Sequence, residues 1–514
     1  MRREASVHPP KSFPLPKEDA QEARLPASVV RIADDGRWQR LRRGVSARRL
    51  LTTSQAVFLL AGLLAMAAAL VLMGLTFAAA LVSALQLAYA AVVVGKLWIC
   101  RRSSEGGVEF EVTREEIAAL GDAQLPVYSV LVPLHRESEV VRDLVQNLSA
   151  LDYPKDRLDV LLLLEADDEA TVRAVEAVGL PPFIRPVLLR PSDPRTKPKA
   201  LDEGLLRARG EFVVIYDAED APDADQLRKA VAVFRRAGEE IACVQARLSY
   251  YNRHQNILTR LFTAEYAMWF GLLLPGLQAL DLPIPLGGTS NHFRHATLTE
   301  LGGWDPYNVT EDADLGIRLY RAGLRTAIMN STTLEEANSE FVNWVRQRSR
   351  WVKGYMQTYL VHMRRPGALW HDLGGRGFWA FQAVIGGGPF TFLMAPLSMA
   401  MTILWLLTSW HVIARLTPPG IYYLAMLNLL LGNFTFAYMN MVAVARMAMW
   451  DLVGVTLVAP VYWAMMSLGA MKAALQLFLR PAHWEKTIHG LARESARSRV
   501  NAKGTTQVET SRTL

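Results

Sequence analysis

Two short stretches in the second half of the chain hold residue types that could act on a sugar. Thr310-Glu311-Asp312 sets two carboxylates ahead of a helical period that runs from Ala313 to Tyr320 and closes at Gly323. Thr310 is the expected N-cap, and Asp312 then falls in a first turn, where backbone N–H groups and the helix dipole favour its ionised form. A carboxylate in that state can take a proton from a hydroxyl. Gln347-Arg348-Ser349-Arg350-Trp351 also reads as helical, and residues four apart share a side, so Gln347 and Trp351 face together. An amide beside a flat ring suits a sugar, whose hydroxyls need hydrogen bonds and whose C–H face lies on aromatic carbon. Alone, the first stretch is usually a dipole-matched cap and the second a packed ring. Their occurrence in order, after further acidic clusters, points to a site.

The elements that must position these residues lie upstream. Tyr128 to Pro133, Leu158 to Leu164 and Phe212 to Tyr216 are apolar runs separated by amphipathic helices, as buried parallel strands are. Acidic residues follow two of them directly: Glu165, Asp167 and Asp168, then Asp217, Glu219 and Asp220. Ligands of open α/β sheets bind beyond the carboxyl ends of strands, so both clusters are placed for chemistry. Ile257 to Leu280, apolar and aromatic with a basic start, is expected to be an interfacial or a buried core helix.

A chain of 514 residues with 51% hydrophobic and 20% charged residues and a mean hydropathy of +0.13 is too apolar for an ordinary soluble enzyme and too charged for a pure membrane bundle. The net charge of +7 could signal nucleic acid, but the arginine runs flank hydrophobic segments and are better explained as cytoplasmic anchors. The two cysteines, Cys100 and Cys243, imply no disulfide framework and a reducing compartment. The expected organisation is a disordered cytosolic arm over 1–50, two transmembrane helices over 51–102, a cytosolic domain over 103–372, a transmembrane region of about four helices over 373–479, and a basic cytosolic tail over 480–514. Trp38 to Arg43 is a candidate interfacial helix, and Arg493 to Arg497 reads as part of a basic tail near anionic lipid. Within 378–416, two short or irregular helices are expected, because Gly386-Gly387-Gly388-Pro389 and Pro396 interrupt the apolar run and an even number of spans keeps both termini inside.

The order Asp217-Ala218-Glu219-Asp220, Thr310-Glu311-Asp312 and Gln347-Arg348-Ser349-Arg350-Trp351, with Gly302-Gly303-Trp304-Asp305 before the second, resembles the membrane-embedded, processive family 2 glycosyltransferases, the group of cellulose, curdlan, chitin and hyaluronan synthases. The resemblance covers roughly residues 50 to 490. It implies a GT-A-like α/β cytosolic domain with a mostly parallel sheet, inserted between about six transmembrane α-helices. It also implies an inverting, processive hexosyltransferase of the inner membrane that takes a nucleoside diphosphate sugar, first of all UDP-glucose and then GDP-mannose or UDP-N-acetylglucosamine, and extrudes a β-linked polysaccharide. Lipid bilayer and growing polymer would be its partners, with accessory export proteins or a second copy as further ones and no nucleic acid.

On the same resemblance Asp312 is the general base, flanked by Thr310 and Glu311, and Asp217 with Glu219 or Asp220 holds Mg²⁺ or Mn²⁺. Asp167, Lys199, His135, Glu137, Arg348 and Arg350 join Asp217 at the donor, and Trp351, Gln347 and Trp304 hold the acceptor. Two other classes share part of this pattern: a distributive transferase acting on a lipid-linked acceptor, and a polymer transporter with a nucleotide-binding domain.

Overall fold

The computed structural model describes residues 45–103, 108–191, 193–408 and 415–481. The arm before Val45, with Trp38 to Arg43, and the tail after Pro481, with Arg493 to Arg497, lie outside the described residues.

The three apolar runs form parallel strands. β1 (Tyr128–Leu134) pairs with β2 (Leu158–Glu165) on one side and β4 (Phe212–Ile215) on the other, and β3 (Ile184–Leu189) extends the sheet beside β2. The eight-stranded sheet continues through β7 (Asn291–Arg294), β6 (Ile241–Tyr250), β8 (Arg325–Glu335) and the two-residue β5 (Ala221–Pro222), in the order β3-β2-β1-β4-β7-β6-β8-β5. The chain order reverses between β1 and β4, the switch point at which open α/β sheets leave a crevice. Alternate residues face opposite ways: Leu131, Leu161, Leu163, Val213 and Ile215 enter one core, and Val130, Val160, Leu162 and Val214 the other. Helices on both faces bury these runs, which is why the runs are continuously apolar.

Ile257 to Leu280 proves to be a core element. Helices Ile257–Met268 and Leu274–Ala279 are joined by a π-helical turn over Trp269–Leu273, and 78% of the most apolar window in this segment is buried. It cements the sheet to the membrane-type helices. Gly276 allows the approach, since a Cβ there would stand 2.1 Å from the Ile99 carbonyl oxygen.

Among the described residues, six helical segments are long and apolar enough to cross a membrane, this buried one among them. Thr53–Met73 and Leu75–Ser103 precede the domain, and Pro366–Leu407, Pro419–Arg446 and Trp450–Leu479 follow it. Residues 409–414 of the 378–416 stretch lie outside the described residues, so the expected pair of helices is followed only as far as Thr408, where no break occurs at Gly386 to Pro389. A π-helical turn over Gln382–Gly386 runs straight into one helix, Gly387–Thr408, with Pro396 inside it. The wider turn accommodates the Gly-Pro sequence that looked like a break, and bare glycine lets Gly387 pack against Val92. The last helix, Ala459–Leu479, is also distinctive, because it lies side by side with Phe341–His362 of the domain. Tyr462 meets Trp344, Gly469 meets Arg348, Ala470 and Ala473 cluster with Val352, and the Pro481 carbonyl accepts from Gln357.

This packing makes a topological prediction. With the domain inside, Thr417 lies one span beyond it, whereas Leu479 ends a helix laid along it. Single cysteines probed in intact cells with an impermeant maleimide should label at Thr417→Cys and stay protected at Leu479→Cys. Labelling at Leu479 would put the last helix across the bilayer.

Candidate active site

The Thr-Glu-Asp turn is built from behind by the helix Phe341–His362. Asn308 donates to Thr358 Oγ1 (2.9 Å), the Val309 N–H donates to Gln357 Oε1 (3.1 Å), and Gly354 faces Thr310 so closely that a Cβ would fall 2.3 Å from its hydroxyl oxygen. Thr310 occupies the N-cap position of helix Glu311–Arg321, but its side chain makes no capping bond and its hydroxyl turns to Asn308 instead. Below the turn, Asp314 is fully buried between Arg318 (2.8 Å) and His362 (3.0 Å), so the catalytic-type helix is tied to the same neighbour twice.

Five charged groups converge in front of this turn. Lys197 Nζ donates to Asp217 Oδ1 at 2.5 Å and to the Gly288 carbonyl at 2.8 Å. Burial opposes its charge, but Asp217, Glu311 and Asp312 outweigh burial and hold the ammonium protonated. Arg350 is pushed the other way by burial, while the same three carboxylates sustain its charge. Burial, then the neighbouring Asp312, push Glu311 up to about 8, against Lys197 and Arg350. Burial also raises Asp312, with the Ala313 N–H (2.8 Å), Lys197 and Arg350 opposing. The first-turn environment therefore does not dominate as expected; desolvation does. A carboxylate raised toward neutrality is a better base than an ordinary one.

The Asp-Ala-Glu-Asp loop divides its labour. Asp220, 1% exposed, accepts from the Asp217 N–H (2.8 Å) and from the Thr289 hydroxyl, which shapes the loop. Its Oδ1 is buried with no hydrogen-bond partner, and burial with the Asp217 and Glu219 charges pushes its carboxyl far up. Glu335, at the end of β8, is raised by burial and by Asp220, Glu219 and Asp217. Such crowding of hard oxygen donors fits a divalent cation. Among the described residues, no three His, Cys, Asp or Glu side chains are grouped to hold one unaided. Such a set suits Mg²⁺-type binding, in which one or two carboxylates share the ion with substrate phosphates.

The second motif does not deliver all its residues to one place. Arg348, 2% exposed, is committed to Glu265 through both terminal nitrogens and to the Tyr462 hydroxyl (2.7 Å), with its guanidinium 4.1 Å from the Phe262 ring centre. It lines the same cavity as Asp312 and Trp351, and these bonds make it a positioning group of that wall. Gln347 is buried against Asn338 (2.9 Å). Trp351 does reach the site: its ring stacks on Tyr266 at 6.0 Å and lines, with Asp312, Gly288 and Thr310, a cavity of about 1420 Å³ including its mouth. The cavity's far wall is made by Tyr89, Lys96, Pro389, Phe392 and Phe436 of the membrane-type helices.

Trp304 is a correction. It is 3% exposed, packs edge-on to Phe293 at 6.0 Å, and takes no place in the cavity. The Gly-Gly-Trp-Asp sequence instead makes a turn in which Trp304 N–H donates to Asp202 (2.9 Å). At the other strand ends, exposed Asp167 pairs with Arg195, and Asp168 caps helix Glu169–Val178 while accepting from the Arg136 N–H. Exposed His135 and half-buried Glu137 belong to this loop, whose Glu137 N–H donates to Thr171 (3.0 Å). Half-buried Lys199 faces Glu165, on which Asp167 also acts. These groups form a rim at the carboxyl ends of β1 and β2. Lys197, Glu265 and Glu335 were not singled out from sequence. The Thr-Lys-Pro-Lys run holds two lysines two apart, and only the fold tells which one turns inward.

Residues 126–354 match the family described as Glycosyltransferase like family 2. Together with the mostly parallel sheet and its acidic strand ends, the match makes this region a family 2 glycosyltransferase domain with the GT-A-like fold, an enzyme domain of the hexosyltransferase class. Similar proteins include the Probable glycosyltransferase YdaM of Bacillus subtilis (strain 168), 28% identical over 234 residues, or 45% of this chain and 56% of that protein. The Beta-monoglucosyldiacylglycerol synthase of Trichormus variabilis is 28% identical over 242 residues (46% and 50%), and the Glucomannan 4-beta-mannosyltransferase 2 of Arabidopsis thaliana 29% over 244 (46% and 45%). The chain thus spans about half the length of the curated relatives it matches. Among solved structures, mannosyltransferase PcManGT from Pyrobaculum calidifontis, in complex with GDP-Man and Mn2+, is 20% identical with a TM-score of 0.41, over 68% of this chain and 98% of that one.

Two measurements test the geometry. Gly354→Ala should lower turnover by roughly tenfold or more with donor affinity little changed, because the added methyl displaces Thr310 and misplaces the adjoining carboxylates. Glu311→Gln should raise Tm at pH 8 in EDTA and leave it unchanged at pH 4. The sign follows from linkage: with the folded-state value near 8, the folded protein binds more protons than the unfolded one, so stability falls as pH climbs from about 4.5 through 8, and the amide removes that loss.

Proposed function

We propose that the protein is an inverting glycosyltransferase that adds hexose from a nucleoside diphosphate sugar, UDP-glucose by preference, to the end of a β-linked polysaccharide held on the membrane side of the domain. The observation that carries this is the cavity: it starts at Asp312 and Trp351 and ends among membrane-type helices, with aromatic rings along it. Trp351 offers the terminal acceptor sugar a flat face, and Asp312 stands where the acceptor hydroxyl arrives. As the new bond to the anomeric carbon forms, Asp312 takes the hydroxyl proton and the bonding electrons of the breaking C–O bond leave with the diphosphate. Attack opposite the leaving group inverts configuration, so an α-linked donor gives a β-linked product. Lys197 and Arg350, rather than Arg348, are the cations beside the carboxylates and would take up the diphosphate charge. Asp217 and Glu219 would hold Mg²⁺ or Mn²⁺, which when bound neutralises negative charge on the leaving phosphate. Lys199, Asp167, His135 and Glu137, on the rim, would contact the base and ribose.

A second reading, transfer to a lipid acceptor, is favoured by the leucines, methionines and phenylalanines that share the cavity wall, and by the naming of one relative as a diacylglycerol-glucosylating synthase. Products distinguish the two. Purified protein given labelled UDP-glucose, GDP-mannose or UDP-N-acetylglucosamine should make an ethanol-insoluble product degraded by a β-glycanase; label extracted wholly into chloroform–methanol would replace the polymer by a glycolipid. Asp312→Asn should abolish either product with nucleotide affinity within a few fold. The wild-type rate should fall on acidification at a pH above the usual aspartate range, since only ionised Asp312 accepts the proton and its carboxyl is raised. Substantial turnover by Asp312→Asn would remove it from the base role.

A further inference from the structure

Helix Leu75–Ser103 carries three cations near its end. Arg101 and Arg102 stand in its last turn, where basic residues anchor a span at the interface. Lys96 lies further in, about 7 Å along the axis from Arg101, and is half-buried. It lines the same cavity as Asp312 and Trp351, at the membrane side, with its ammonium 5.8 Å from the centre of the Phe436 ring. No carboxylate among the described residues forms an ion pair with it. Glu265, on the cavity wall, is taken by Arg348 and Tyr462, and Asp312 sits beside Lys197 and Arg350. Tyr89, two helical turns earlier on the same face, also lines the cavity and brings a hydroxyl. Around these two polar groups the wall is apolar, with Leu273, Phe436 and Met439.

A fixed cation in such surroundings is costly unless an anion comes to it. We propose that Lys96, with Tyr89, seats the phosphate of an anionic membrane phospholipid whose acyl chains lie against the apolar wall. The walls decide between a lipid and a soluble phosphate: Leu75–Ser103 and Pro419–Arg446, which supply Lys96, Tyr89, Phe436 and Met439, are both long and apolar enough to cross a bilayer. A phosphodiester headgroup meets the ammonium while its chains continue among the same helices. This lipid is a resident of the membrane wall of the cavity, bound whether or not donor is present, and is distinct from any sugar acceptor.

The test uses the full chain in nanodiscs and reads thermal unfolding, so it stands or falls independently of transferase activity. Adding phosphatidylglycerol to phosphatidylcholine discs should raise Tm by roughly 3 to 5 °C for wild type and for Lys96→Arg. Lys96→Met, with wild-type Tm in phosphatidylcholine alone, should lose most of that shift; if Met unfolds the protein, Lys96→Gln serves instead. An equal shift in wild type and in the neutral variant, or none in either, would overturn the proposal. So would a Lys96-dependent shift produced by millimolar inorganic phosphate in phosphatidylcholine discs and not by phosphatidylglycerol, which would assign the site to a soluble anion.

Discussion

Negative charge gathered in a partly desolvated space is the constraint on which this molecule is organised. Asp217 arrives from the end of β4, Glu311 and Asp312 from the start of one helix, and their repulsion is held by Lys197 from a second helix and Arg350 from a third. Unit charges a few ångströms apart interact by several kcal/mol at the effective dielectric near a protein surface, about 4 kcal/mol at 4 Å. Neither cation could be withdrawn without protonating a carboxylate or opening the site. The arrangement is therefore strained toward accepting further positive charge, and a phosphate-bound divalent ion would supply it.

The helix Phe341–His362 turns that electrostatic cluster into a mechanical one. One side, through Gly354, Gln357 and Thr358, clamps the Asn308-to-Thr310 turn, and another, through Arg348, grips Glu265 and Tyr462. Since Tyr462 opens the helix Ala459–Leu479, a membrane-associated element and the candidate base share one rigid support. Arg348 is instructive here. Four aromatic rings surround its guanidinium, and truncating it would leave half-buried Glu265 without its counter-ion, so loss of activity on its mutation would report the wall as much as any substrate contact.

Much of the fold was legible because burial on both faces leaves an unmistakable mark: the apolar runs that became β1, β2 and β4 lie within a residue or so of the positions read from the sequence. The two central motifs were legible as residue types, but not their orientations. Gln347 and Trp351 do share a helix side, yet only Trp351 reaches the cavity, because Asn338 draws the amide away. Lys197 lies two residues from the lysine read as functional, and no local rule separates them. Trp304 looked like a sugar platform and is a core ring, since a turn motif and a binding motif can use the same residues. At Gly386 to Pro389 the glycines and proline read as a break, whereas a π-helical turn over Gln382–Gly386 leads into the next helix without one.

Asp312 sits where two differently built approaches meet. On one side are loops at the carboxyl ends of parallel strands, rich in carboxylates and cations, suited to a nucleotide and its diphosphate. On the other is a cavity with aromatic and aliphatic walls that leads into membrane-type helices, where a charged nucleotide would be poorly solvated. A donor and an acceptor entering by the same route would compete; here polarity alone sorts them. On the function proposed above, Asp312 would need no selectivity of its own, because whichever hydroxyl reached it would have come through the apolar side. On that proposal acceptor choice would depend on the cavity wall, including Tyr266, Trp351 and the membrane-facing residues, more than on the charged cluster, and a change of acceptor class would be engineered there without touching the carboxylates.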